Sequence, residues 1–215
     1  MESQPKIANS IYDSFHSALV TGNKITCKKI VKELLNDDIP LRELYIEYFQ
    51  KSLYEIGSLW EHNRISVAVE HVATGIIEQL MSFVYPLLFE DTDKDKKVLV
   101  SCIANEYHQV GAKMVCDIFE MNGWDSYFVG SNIPIEDLID MIGEKQPDIV
   151  GLSISIYFNI PVLLNTIKYI KNNFPEVEII IGGQATKFIK PAEIAKYKHT
   201  RIVNDIFELE QLIRI

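Results

Sequence analysis

Three cysteines in 215 residues, Cys27, Cys102 and Cys116, are too few and too scattered for a disulfide framework, and none forms a C-x-x-C metal knuckle. They suit a reducing compartment, so a cytoplasmic location is expected. Clustered Lys and Arg are lacking too. The formal net charge is −9, and a chain with no basic stripe cannot neutralise a run of phosphates, which argues against direct nucleic-acid binding. No uninterrupted apolar run reaches the ~18 residues of a membrane span. The amino terminus "MESQPKIANS" has neither the basic nor the apolar region of a leader, so no membrane and no cleaved leader are expected.

With 47% hydrophobic and 24% charged residues, the chain has the composition of a folded globular protein with one large core or two modest ones. The apolar period changes along its length. Over residues 7–88 apolar residues recur at helical spacing: Ile7, Ile11, Phe15, Ala18 and Leu19, then Ile30, Val31, Leu34 and Leu35. A third helix opening at Pro40 carries Leu44, Tyr48, Leu53 and Ile56, and a fourth starting near Ser66 carries Val72, Ile76, Leu80 and Leu87. The breaks "TGNK", "NDDIP" and "EHNRIS" have the composition of turns. Residues 1–90 are therefore expected to form a four-helix bundle, and the mixed-charge run "EDTDKDKK" to supply a linker at residues 91–97.

From residue 98 to 215 the pattern alternates between strand and helix. The runs "KVLVSCI", "SYFVG", "DIVGLSIS", "EIIIGG" and "RIVND" are β-rich, with helical stretches between them. Five parallel strands joined by helices make a small doubly wound, flavodoxin-like (Rossmann-type) sheet, so the fold class is α + α/β. Ligands of such sheets bind at the strands' carboxyl ends, in the crevice between the first and third strands. His108 and Ser153 fall at those two ends.

Several ligands of this architecture are a poor match. A dinucleotide site needs G-x-G-x-x-G after the first strand, and "ANEYHQVG" has one glycine where three are required. A phosphoacceptor domain needs an aspartate where the third strand ends in "LSIS". Zinc needs three or four N or S ligands, and only Cys102 and Glu106 lie near His108 in sequence. A single exposed histidine suits a metal held mainly by its own macrocycle.

Glu106-x-His108-x-x-Gly111, Ser153 with Ser155, and Gly182-Gly183 resemble the D-x-H-x-x-G, S-x-L and G-G signature of cobalamin-binding domains. Taken singly, a loop histidine, a serine and a Gly-Gly are ordinary; together, at three strand ends, they are specific. The resemblance implies that His108 replaces dimethylbenzimidazole as the lower cobalt ligand and that the displaced nucleotide tail enters the sheet crevice. Glu106, in place of the commoner Asp, would hold the other ring nitrogen, and Gly111 would let helix and tail approach closely. Ser155 stands where the family has Leu.

"LWEHNRISVAVEH" puts Trp60 at the end of the third helix, and Glu70 with His71 in the opening turns of the fourth. This spacing resembles the light-sensing adenosylcobalamin-dependent repressors of the CarH type. The resemblance implies that the bundle caps the upper face of the cofactor, with Trp60, Glu70 and His71 around the adenosyl group. Two departures stand out. The repressors begin with a DNA-binding winged helix, whereas this sequence starts at the bundle, so output is expected through self-association or a separate regulatory protein. Their light-state cobalt ligand directly follows the tryptophan, whereas here Glu61 does and His62 comes next, making His62 a candidate upper ligand after photolysis. His16 and His199 read as ordinary surface or packing residues.

The expected function is thus a non-enzymatic, adenosylcobalamin-binding sensor, an adenosylcobalamin photoreceptor module. The alternative is a corrinoid methyl carrier of a methyltransferase system, using methylcobalamin.

Overall fold

The computed structural model describes residues 4–88 and 94–214, with side chains from residue 10 onward. Ile7's side chain and residues 91–93 of the expected linker lie outside the described residues. The chain divides into two compact units, Met1–Leu88 and Phe89–Ile215.

The first unit is helical. Helix α1 (Gln4–Val20) turns through Gly22, at φ +69°, into α2 (Lys24–Asn36). The Asn23 side chain caps α2 by accepting the Thr26 N–H at 3.1 Å, satisfying a donor that a helix start leaves unpaired. Helix α3 (Leu41–Glu43) runs without a break into a π-helical segment, Leu44–Gln50, and then α4 (Lys51–Glu61). Pro40 stands one residue before the helix, at its N-cap, rather than at the first helical position. The wider π turn brings Leu44, Tyr45, Tyr48 and Phe49 all inward, where Phe15 meets Tyr48 edge-on at 5.8 Å. Downstream, Ser52 occupies a buried place and Leu53 is only half-buried, against the spacing expected from sequence.

Helix α5 (Val67–Val84) is capped by Ser66, whose hydroxyl accepts the Val69 N–H. Its inward stripe is Ala73, Ile76, Ile77, Leu80, Met81 and Val84. Val72 lies one helical step off that stripe and is exposed, as is Leu87, which falls in the 3-10 turn after the helix. By length and composition Val67–Leu87 is apolar enough to cross a membrane, which the sequence reading did not credit; in this structure its stripe is buried in the bundle.

The second unit is a five-stranded parallel sheet in the order β2-β1-β3-β4-β5, with β1 Lys97–Cys102, β2 Asp125–Gly130, β3 Ile149–Ser153, β4 Glu178–Gly182 and β5 Thr200–Ile202. Helices α6 (Val110–Met121), α7 (Ile135–Lys145), α8 (Ile160–Asn173), α9 (Pro191–Ala195) and α10 (Ile206–Ile213) complete it. The central strands are buried along nearly their whole length, which explains their continuous apolar runs. Leu99, Val150, Leu152, Ile179 and Ile181 join Leu138, Ile142, Leu163 and Ile167 in one core; burying each such side chain stabilises the fold by ~1.5–3 kcal/mol. The register sets Cys102 beside Ser153 and Ser153 beside Gly182. The strand order reverses between β1 and β3, so the loops after these strands diverge and leave a crevice at their carboxyl ends.

Candidate functional site

Glu106 sits in the loop after β1 with its side chain wholly buried. One carboxylate oxygen, Oε1, accepts the His108 ring Nδ1 at 2.6 Å and the His108 backbone N–H at 3.1 Å. The other, Oε2, accepts the backbone N–H groups of Ser155 at 2.8 Å and Ile156 at 3.0 Å, which belong to the loop after β3. One side chain thus spans the crevice and ties its two walls together. Burial alone would raise the Glu106 carboxyl; the His108 ring and the N–H groups of Ile156, Ser155 and His108 outweigh it and hold it at about 2.

An ionised carboxylate can only accept, so the proton between it and the ring lies on Nδ1, and in the neutral imidazole the lone pair is then on Nε2. The His108 side chain is 56% exposed. This is a nitrogen donor of fixed tautomer and orientation, presented on a strand-end surface. Cys102 Sγ donates to the His108 carbonyl at 3.7 Å, but burial pushes that thiol up to about 12, so no thiolate competes for a metal at neutral pH. Among the described residues no group of three or more His, Cys, Asp and Glu is placed to hold a metal ion. A metal bound through His108 must bring its other donors with it, and a corrin macrocycle does so; the donor chemistry fits that group.

The remaining signature residues divide by role. Gly183 adopts φ +106°, and a Cβ there would lie 2.2 Å from the Ile154 carbonyl oxygen, so this position is glycine for the fold itself. Gly182 and Gly111 differ: a Cβ at Gly182 would come no nearer than 4.0 Å to the Val203 oxygen, and at Gly111, the second residue of α6, it would meet nothing within 4 Å. Both border space that a ligand could use. Ser153 is half-buried at the end of β3, and its carbonyl accepts the Ile103 N–H at 3.5 Å. Ser155 reaches the site through its backbone N–H.

Sequence reasoning missed several residues here. Tyr107, Ile156, Tyr157, Phe158 and Phe188 are exposed in the loops after β1, β3 and β4, with the Tyr157 and Phe158 ring centres 3.9 Å apart at a 33° tilt and Tyr157 5.7 Å from Phe188. The run "SIYFNI" after β3 was the available signal, since large apolar residues past a strand end have no core to enter. They are large apolar groups exposed past the carboxyl ends of β1, β3 and β4, suited to the faces and edges of a large flat ligand.

The upper-face candidates lie in the helical unit. Trp60 is 46% exposed in the last turn of α4. The His71 Nδ1 meets the Glu70 Oε2 at 2.5 Å, and the Glu70 Oε1 accepts the Thr74 hydroxyl at 2.9 Å. His62 caps α4, its Nδ1 donating to the Ser58 carbonyl at 2.8 Å. His16 and His199 pair with Glu55 and Glu176 at 3.6 and 3.5 Å.

Comparison with known proteins identifies the family. A family model described as a B12 binding domain matches residues 96–203, and a second B12 binding domain model matches residues 11–85. Dimethylamine corrinoid protein 1 of Methanosarcina acetivorans is 20% identical over 172 residues, 76% of this chain and 81% of its own length. The HTH-type transcriptional repressor CarH of Myxococcus xanthus is 23% identical over 153 residues, 69% of this chain and 50% of its own, so the match spans half of that repressor. Among solved structures, the monomethylamine corrinoid protein of Methanosarcina barkeri superposes with a TM-score of 0.81, covering 95% of this chain and 97% of that one; at 13% identity this is a likeness of fold. The chain belongs to the B12-binding domain family, and cobalamin is the cofactor its sheet domain serves.

Proposed function

We propose that the protein is a corrinoid carrier, which holds cobalamin on His108 and presents it to a separate methyltransferase without catalysing the transfer itself. The observation that carries the cobalt assignment is the buried Glu106 carboxylate, which fixes the proton on His108 Nδ1 at 2.6 Å and so directs the Nε2 lone pair outward. When bound, cobalamin supplies a cobalt centre able to accept a methyl group and give it up again. Glu106 keeps the ring oriented, and Ser153, Gly182 and Gly111 border room for the nucleotide tail. The relative named for dimethylamine supports a carrier, because its match takes in most of both chains. This reading exchanges the preference drawn from sequence, where the sensor came first. The cytoplasm remains the proposed compartment.

The sensor stands as a second reading on one observation: the Glu70–His71 pair at 2.5 Å, separated by nine residues from an exposed Trp60, in the spacing of the light-sensing repressors. It assigns Trp60, Glu70 and His71 to an adenosyl group, and output to self-association. Separate samples loaded with methylcobalamin and adenosylcobalamin distinguish the two. A carrier binds both forms, passes methyl to a thiol acceptor when a corrinoid methyltransferase is added, and keeps its assembly state under green light. A sensor prefers the adenosyl form and changes assembly on illumination, with Trp60→Ala erasing the preference.

A further inference from the structure

Residues 103–106 form a tight turn, closed by the Glu106 N–H donating to the Ile103 carbonyl at 3.1 Å. Asn105 occupies its third position at φ +65°, where such turns call for Gly or Asn. The turn is held from outside at three points. The Asn105 N–H donates to Asn132 Oδ1 at 2.8 Å, and the Asn132 N–H returns a bond to the Glu106 carbonyl at 3.0 Å. The Asn105 carbonyl accepts Asn159 Nδ2 at 3.1 Å. Asn132 lies in the loop after β2, itself at φ +53°, and Asn159 immediately precedes α8. Two asparagines from two other strand-end loops therefore clasp the one turn that delivers Glu106.

We infer that Asn132 and Asn159 are positioning residues for the lower cobalt ligand, acting through the 103–106 turn on Glu106 and through Glu106 on His108. The inference rests on the proposed ligation by His108. The central peptide of a tight turn can rotate between alternative orientations, and the Asn105 N–H belongs to that peptide; Asn132 selects one of them. Asn159 fixes the next carbonyl, immediately before Glu106. These side chains reach the site across exposed loops rather than filling a core, so their truncation leaves the sheet and its packing intact while releasing the turn. A turned Glu106 carboxylate can no longer serve the ring and the Ser155 and Ile156 N–H groups together, and the imidazole loses its fixed direction.

Partner chemistry dictates opposite outcomes for one substitution. Asn132 acts through an oxygen that accepts, which Asp retains. Asn159 acts through a nitrogen that donates, which ionised Asp lacks. The test uses the full chain made with 15N-histidine and loaded with cob(II)alamin, reading the two-line histidine nitrogen coupling by EPR and cobalamin affinity by visible titration. Asn132→Ala, Asn159→Ala and Asn159→Asp are expected to shift the population from histidine-ligated toward unligated cobalt and to weaken binding about 10-fold, the lower end for outer-sphere partners at metal sites. Asn132→Asp is expected to match wild type. If Asn132→Ala fails to fold, Asn132→Gly keeps the positive φ available and makes the same comparison. Wild-type coupling in all the alanine variants, or identical behaviour of Asn132→Asp and Asn159→Asp, overturns the inference. Should His108→Ala itself show the wild-type coupling, the ligation is what fails, and the asparagine results are then read from the ring's 15N shifts in cofactor-free protein: unchanged shifts in Asn132→Ala and Asn159→Ala overturn the clasp, and moved shifts uphold it.

Discussion

His108 Nδ1 lies 2.6 Å from Oε1 of a wholly buried Glu106, while the other oxygen of that carboxylate takes two backbone N–H groups from across the sheet crevice. One residue thereby sets the tautomer of the donor imidazole and pins the two loops that flank it. Replacing Glu106 by Gln supplies an amide nitrogen where one of these donors needs an acceptor. A buried donor left unpaired costs ~1–3 kcal/mol. Glu106→Gln is expected to lower the unfolding free energy of the sheet domain, read by urea titration, by that amount and to weaken cobalamin binding ~10–100-fold. His108→Ala is expected to abolish the histidine-ligated spectrum and, because it takes one partner from the buried carboxylate, to lower that free energy as well.

Acid should expose the same carboxylate. Its folded value, about 2, lies below the ordinary 4.5, so its contribution is fully present above pH 4.5 and is lost as pH falls through the folded value. The depression corresponds to roughly 3 kcal/mol of stability at neutral pH. Urea unfolding followed from pH 5 downward should therefore show a steeper loss in wild type than in Glu106→Gln; parallel curves would mean that another group governs the acid limb.

The paired glycines should separate under substitution. Gly183→Ala forces a side chain to φ +106° against the Ile154 carbonyl and is expected to destabilise the domain by ~3 kcal/mol or more. Gly182→Ala and Gly111→Ala meet open space and should leave thermal unfolding within about 1 kcal/mol of wild type. Weakened cobalamin binding in these two, without lost stability, marks them as bordering the ligand; unchanged binding removes them from the site.

The three thiols should be silent in the native state. Burial pushes Cys27 up to about 11 and Cys102 and Cys116 up to about 12, leaving almost no thiolate at neutral pH. Mass spectrometry after iodoacetamide treatment at pH 7 is expected to find no adducts in folded protein and three in urea. Rapid native labelling of Cys102 would show that the loop after β1 opens and that a sulfur ligand is available near His108.

The sequence disclosed those elements whose cause is local. Buried parallel strands read as apolar runs, the Ser66 cap preceded its helix, and Glu106 and His108 stand two residues apart, so their pairing was visible in one short stretch. The π turn at Leu44–Gln50 was not visible, because the packing of Tyr45, Tyr48 and Phe49 around Phe15 rewards it rather than any local preference. Ser155 takes part through its backbone N–H, which any residue at position 155 other than proline supplies, so its side chain carries no signal of that role. Asn132 and Asn159 act on a turn 27 and 54 residues away, a relation that exists only once the sheet order is known. The carrier and sensor readings share the same lower-ligand chemistry, which is why residues alone ranked them differently from the comparisons.

The central claim, that His108 supplies the lower cobalt ligand, is tested most directly by EPR of cob(II)alamin bound to protein made with 15N-histidine. A nitrogen of 15N splits each cobalt line into two, whereas ordinary 14N splits it into three. Labelled wild type is expected to show two-line splitting, unlabelled protein three-line splitting, and His108→Ala no two-line pattern. Three-line splitting in the labelled protein would show that the cofactor keeps its own dimethylbenzimidazole nitrogen on cobalt and would contradict the assignment.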